Sequence, residues 1–142
     1  MPGHFLPIHL DPWINVTHRY ITMAMQSLAE GGLVIDSSWL DPRDPRDATI
    51  TYTHLRPAFA SSASKLALVW DEVTGWRRGV FRGGEQGSRT VLTDLRYLGG
   101  GVLPDGGELT ARVLAGASEP RRDYRSVADL RDGLDDALLT WS

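Results

Sequence analysis

The segment Trp70-Asp71-Glu72-Val73-Thr74-Gly75-Trp76 constrains this chain more than any other, because it sets a tight reversal between two tryptophans at the centre of the hydrophobic pattern. The run from Asp71 to Gly75 has the composition of a type I turn followed by glycine in the left-handed region, which closes a short hairpin without splaying its strands. Gly75 takes positive φ at no steric cost. Before the turn lies Leu66-Ala67-Leu68-Val69-Trp70, a continuous apolar run of strand length; after it lies the mixed run Trp76-Arg77-Arg78-Gly79-Val80-Phe81-Arg82. The first is predicted to be a central strand. Indoles at both mouths of the turn can pack as a cross-strand or diagonal pair, worth about 0.5 kcal/mol.

Elements on either side follow from periodicity and punctuation. Asp11-Pro12 is a helix start, with a capping carboxylate and a proline at the first helical position. Trp13, Val16, Tyr20, Met23 and Ser27 then form one helical stripe, widened by Ile14, Ile21, Met25 and Leu28, until Gly31-Gly32 ends it. Leu33 to Leu40 reads as a strand. Residues 48–55 read as a half-buried one, with Ala48, Ile50, Tyr52 and His54 alternating against Thr49, Thr51 and Thr53. Between them the duplicated Asp-Pro-Arg of residues 41–47 reads as an exposed loop, since its prolines exclude ladder bonds and its charges oppose burial. Residues 90–98 supply a fifth strand, with Val91, Thr93, Leu95 and Tyr97 expected on one face. Pro104-Asp105-Gly106-Gly107-Glu108 starts a helix with capping-box spacing, turning Leu109, Val113 and Leu114 inward. Residues 119–122 read as a linker to a last helix whose stripe is Val127, Leu130, Leu134, Leu138 and Trp141.

With 142 residues, 42% of them hydrophobic, the chain suits one domain that buries about two thirds of the surface its unfolded form exposes. We divide it into an α+β domain over residues 1–117 and a linker with an amphipathic helix over residues 118–142. There is no cysteine, so no disulfide or thiolate cage supports the core, as suits a reducing cytoplasm. The first ten residues lack a basic flank and an apolar core segment, and no run approaches the roughly 18 apolar residues of a membrane span, so neither export nor membrane insertion is expected. A net charge of −3 argues against general attraction to polyanions. Lys65 is the sole lysine among 15 basic residues, a ratio that GC-rich coding explains more simply than selection for guanidinium recognition.

The motif Leu66-Ala67-Leu68-Val69-Trp70-Asp71-Glu72 with Gly75-Trp76, joined to Tyr97-Leu98-Gly99-Gly100 and Leu103-Pro104 before a helix, resembles a family of small actinobacterial proteins classed as a domain of unknown function. The resemblance covers residues 13–116. It implies a helix, a β-rich middle and a proline-started helix, and it brings no activity with it.

Candidate chemistry is sparse. His9 and Asp11 with His54 imitate a two-histidine, one-carboxylate metal set, but Asp11 is already explained as a cap; His4, His9 and His18 fit no common zinc spacing. We assign no metal, no cofactor and no catalytic residue: there is no Gly-x-Ser-x-Gly elbow, and the glycine runs lack a phosphate loop's lysine. Asp71 and Glu72 are adjacent turn residues pointing different ways, and solvent there is expected to keep them ordinary. Arg77, Arg78, Arg82, Arg89 and Arg96 fall on two strands that should pair, giving either a cationic patch or a solvated face balanced by Asp94 and Glu85.

The expected architecture is an antiparallel sheet of about five strands with the N-terminal helix and one or two C-terminal helices on one face. The favoured function is a cytoplasmic, non-enzymatic protein-interaction or regulatory module, homodimeric through Val127, Leu130, Leu134, Leu138 and Trp141. The alternatives are a small-molecule binder or small enzyme with a pocket lined by Trp13, Tyr52, Trp70 and Tyr97, and a nucleic-acid binder using the arginine strands.

Overall fold

The structure, a computed structural model, describes residue 6 and residues 15–41, 46–54, 65–85, 88–125 and 133–139. Helix α1 (His18–Glu30) leads into strands β1 (Leu33–Asp41), β2 (Asp47–His54), β3 (Leu66–Asp71), β4 (Gly75–Glu85) and β5 (Ser88–Tyr97), followed by helices α2 (Gly106–Ala115) and α3 (Leu134–Leu139). The strands form one antiparallel meander in the order β1-β2-β3-β4-β5. This is the α+β arrangement the pattern calls for.

Helix α1 buries Tyr20, Ile21, Ala24, Met25 and Leu28, a stripe of the kind that seats a helix on a sheet. Met23 and Ser27 sit half-buried at its margin, and the expected start at Asp11, Pro12, Trp13 and Ile14 lies outside the described residues. Helix α2 begins as its capping spacing predicts, with Asp105 Oδ1 accepting from the Glu108 amide at 2.8 Å. Leu109 and Val113 turn inward, but Leu114 does not: it is 55% exposed. The sheet meets these helices through Leu33, Ile35, Leu40, Ala48, Ile50, Tyr52, Leu68, Trp70 and Trp76.

The Trp70–Trp76 hairpin forms as read. Trp70 stands opposite Trp76 and Asp71 opposite Gly75, whose φ is +76°. A side chain at Gly75 would also strike the Gly101 carbonyl.

The opposite face of the sheet is covered too, which corrects the half-buried reading of β2. Thr49 and Thr51 are as buried as Ala48 and Ile50. The long β4–β5 ribbon rolls across them: Thr90 shares a 2.7 Å hydroxyl hydrogen bond with Thr49, Arg89 reaches Asp47 at 3.1 Å, and Phe81 meets Trp39 edge-on at 6.2 Å. Three register shifts along the β4–β5 ladder supply the coiling, since each bulge adds right-handed twist. Gly79 permits the crossing, because a Cβ there would lie 2.7 Å from the Thr93 carbonyl oxygen.

One of those shifts also corrects the expected face of β5. Val80 pairs with Thr93 but Arg78 pairs with Arg96, leaving Asp94 and Leu95 as a bulge opposite Gly79, with Asp94 at φ +53°. The bulge moves the side-chain alternation by one residue. Val91, Thr93 and Arg96 therefore face the helix side, while Tyr97 turns to the other face beside Arg77.

Beyond α2 the chain is tied back to the sheet. The Glu119 amide donates to the Tyr97 carbonyl at 2.8 Å and the Tyr124 amide to the Val73 carbonyl at 2.8 Å. Helix α3 then places Leu134 and Leu138 in the same core as α1.

Candidate functional site

Asp71 and Glu72 point in different directions, as adjacent turn residues should, but neither is solvated. Asp71 organises the hairpin itself: its carboxylate accepts from the amides of Val73 (2.8 Å) and Thr74 (2.6 Å), the Thr74 hydroxyl (2.6 Å) and the Arg77 guanidinium (2.6 Å). Glu72 reaches inward to Arg46, and each of these side chains is only 2% exposed. Glu72 Oε2 accepts from the Arg46 amide (2.5 Å) and Nε (3.1 Å); Oε1 accepts from Arg46 Nη2 (2.8 Å) and Arg125 Nη1 (2.7 Å). Arg46 Nη2 donates further to Asp135 at 2.6 Å.

The carboxylate thus meets four donors drawn from the β1–β2 connection and the C-terminal segment. Every lone-pair direction is used, so the carboxylate anchors the turn to these segments. Burial works to lower the pKa of the Arg46 guanidinium, but its bonds to Glu72 and Asp135 outweigh that and leave it raised. The exposed reading of residues 41–47 is therefore corrected at Arg46, which is buried because two carboxylates receive its charge.

Of the four aromatic residues named for a pocket, the three that are described do not converge. Trp13 lies outside the described residues. Tyr52 and Trp70 are both fully buried on the helix side, where they stand opposite Leu66 and Ala48 respectively, about four residues or 13 Å apart along the strand. Tyr97 is on the other face. The aromatic centre is instead built around Tyr20, whose ring lies 6.0 Å from Trp70 and 6.3 Å from Trp76. Its hydroxyl donates to the Pro104 carbonyl (2.7 Å) and accepts from Trp76 Nε1 (3.0 Å), while Trp70 Nε1 donates to the Val102 carbonyl (2.7 Å). Burial drives the Tyr20 hydroxyl well above its ordinary range, against a smaller downward pull from the Trp76 bond. Burial raises Tyr52 as well, and the adjacent Arg78 guanidinium offsets part of that rise.

The five arginines divide by face. Arg77 pairs with Asp71 and Arg89 with Asp47, and both lie toward the rolled side. Arg78, Arg82 and Arg96 occupy the helix side of the β4–β5 ribbon: Arg78 is opposite Arg96, and Arg82 Nε donates to Thr93 Oγ1 at 2.9 Å. Among the described residues no carboxylate pairs with these three. Val91 (57% exposed) lies on the same side, and Leu95 (45%) is exposed at the adjoining bulge. Of the residues proposed for a dimer interface, Leu134 and Leu138 are buried against the chain's own core, and Val127, Leu130 and Trp141 lie outside the described residues.

Of the histidines, His18 makes a 2.8 Å hydrogen bond from Nε2 to the Leu6 carbonyl, while His4, His9, Asp11 and the side chain of His54 lie outside the described residues. Among the described residues no three metal-ligating side chains come together. Likewise, no described helix is long and apolar enough to cross a membrane.

Residues 20–115 match the model of a family described as a family of unknown function, DUF6292. The chain belongs to DUF6292. No curated protein matches the chain at a level that marks a relative, and no solved structure does. The DUF6292 match spans the whole sheet and α2, including Arg46, Glu72 and the three arginines of the β4–β5 ribbon. Arg125 and Asp135, which complete the Glu72 cluster, fall beyond it.

Sequence reasoning missed Arg46, Arg125 and Asp135 as a set, since nothing local links residues that meet across separations of 26, 53 and 89 positions. The five arginines are legible in the sequence as a group, and the bulge at Asp94 sorts them by face.

Proposed function

We propose that this member of DUF6292 is a non-enzymatic protein-interaction module that docks its partner on the helix side of the β4–β5 ribbon. One observation carries the reading: Arg78, Arg82 and Arg96 share a face and form no ion pair among the described residues, with the exposed Val91 on the same side and Leu95 exposed at the adjoining bulge. Cationic side chains beside uncovered aliphatic ones suit a partner that is both acidic and apolar. Nucleic acid competes for the same arginines, but a net charge of −3 and, among the described residues, aliphatic neighbours without exposed stacking rings favour protein.

A homodimer through the C-terminal stripe fits less well, because Leu134 and Leu138 would have to leave α1. The small-molecule reading loses support from the dispersal of Tyr52, Trp70 and Tyr97. A cytoplasmic location, suggested by the cysteine-free composition, and an actinobacterial source, suggested by the family resemblance, complete the proposal.

Capture from native lysate with the wild type and with Arg82→Glu/Arg96→Glu, read by mass spectrometry, tests it. The reading expects proteins that the wild type retains at low salt and that both the variant and raised salt release. Identical captured sets for the two baits reject it.

A further inference from the structure

We propose that the partner enters as an added β-strand, an extended acidic segment pairing along the free edge of β5 over residues 88–93. This rests on the interaction-module reading and specifies how it works. β5 is last in the strand order, and among the described residues its outer edge is engaged at one point only, where the Glu119 amide donates to the Tyr97 carbonyl. That bridge is antiparallel and its residue is acidic, with the carboxylate held by Arg112 at 3.0 Å. The chain itself thus supplies one antiparallel bridge to this edge, at Tyr97.

The bridge and the bulge at Asp94 set one limit of the open stretch, and Ser88 sets the other. Six residues span about 20 Å, enough for a short augmenting strand. Open edges usually carry proline, a bulge or inward charge to block such pairing. Within residues 88–93 there is no proline, the single charge, Arg89, is drawn away to Asp47, and the one register shift that adds a residue to β5 lies between Ser88 and Val91, at the end of the stretch away from Asp94.

Charge and apolar surface choose the occupant. A strand laid beside β5 presents alternate side chains to the face that holds Val91 and Thr93, within reach of the long side chains of Arg82 and Arg96. Carboxylates alternating with aliphatic residues complement both. A second copy would instead bring together two edges with the same cationic surplus, and a nucleic-acid strand has no backbone amides to continue the ladder.

The probe is a synthetic peptide of about ten residues alternating glutamate and valine, long enough to cover the open edge. It is titrated into the full chain by fluorescence anisotropy, with amide hydrogen exchange measured on the complex. Controls replace glutamate by lysine or methylate the peptide's backbone nitrogens. The expected result is binding by the glutamate peptide alone, a tenfold or greater slowing of exchange within residues 88–93, and a tenfold or greater loss of affinity in Arg82→Gln/Arg96→Gln. Tryptophan fluorescence verifies that this variant is folded.

Failure of the glutamate peptide to bind overturns the inference. Equal binding of the N-methylated peptide overturns strand addition while leaving an acidic docking face, and so preserves the broader reading. Equal binding of glutamate and lysine peptides, or indifference to the arginine variant, overturns both. A doubled mass in light scattering with the edge protected before peptide is added shows that a second copy is the occupant, and overturns the acidic-partner inference.

Discussion

Glu72 is where a single atom change should matter most. Its carboxylate is the meeting point of Arg46, Arg125 and the turn, and replacing it by an amide leaves two buried guanidinium groups without their shared counter-charge. Losing one partner of a buried ion pair costs about 3–5 kcal/mol, so Glu72→Gln should lower the urea midpoint by that equivalent at unchanged slope. Asp71→Asn keeps an acceptor for the turn amides and should cost less, on the order of 1–3 kcal/mol. The tyrosines give the opposite kind of dependence, on pH. Burial raises Tyr20 and Tyr52 in the folded chain above their ordinary value of 10.0, so on alkalinisation the unfolded chain releases these protons first. Stability from this source is complete below pH 10 and declines above it, and Tyr20→Phe should flatten that decline in urea titrations. Gly75 and the turn role of Asp71 were legible in advance, because positive φ is a local demand that glycine answers locally, whereas the distant partners of Glu72 were not.

At the scale of elements, β5 shows what alternation can and cannot reveal. The existence of the strand follows from its β-branched run, but its faces do not, because the bulge at Asp94 shifts the period without a glycine to announce it. Asp94→Gly should relieve the left-handed backbone and stabilise by up to about 1 kcal/mol, whereas Asp94→Val should cost about 1–2 kcal/mol, both read by thermal unfolding. Helix α3 poses the converse case. Its apolar stripe was plain in the sequence, yet periodicity is silent on whether a stripe finds its partner in the same chain. Leu138 is fully buried within the core, so Leu138→Ala should cost about 2–5 kcal/mol even at protein concentrations too low for dimers. A cost that appeared only at high concentration would return α3 to an interface role.

The whole molecule is a meander backed by helices on one side and rolled over itself on the other. The fold class was legible because each strand, turn and cap carries its own local signal. The roll, the Glu72 cluster and the sorting of the arginines were not, since they depend on which distant residues arrive at one place. The outcome is a chain with a closed end and an open side: the β3–β4 turn is clasped by Arg46 and Arg125, while β5 presents an edge to solvent beside three cationic side chains. Residue-resolved amide hydrogen exchange on the free protein tests that contrast most directly. The account predicts slow exchange at Thr74 and Tyr124, whose amides are bonded within the clasp, and rapid exchange at the outward-pointing amides among residues 88–93. Uniformly slow exchange along β5, with the turn opening first, would contradict it.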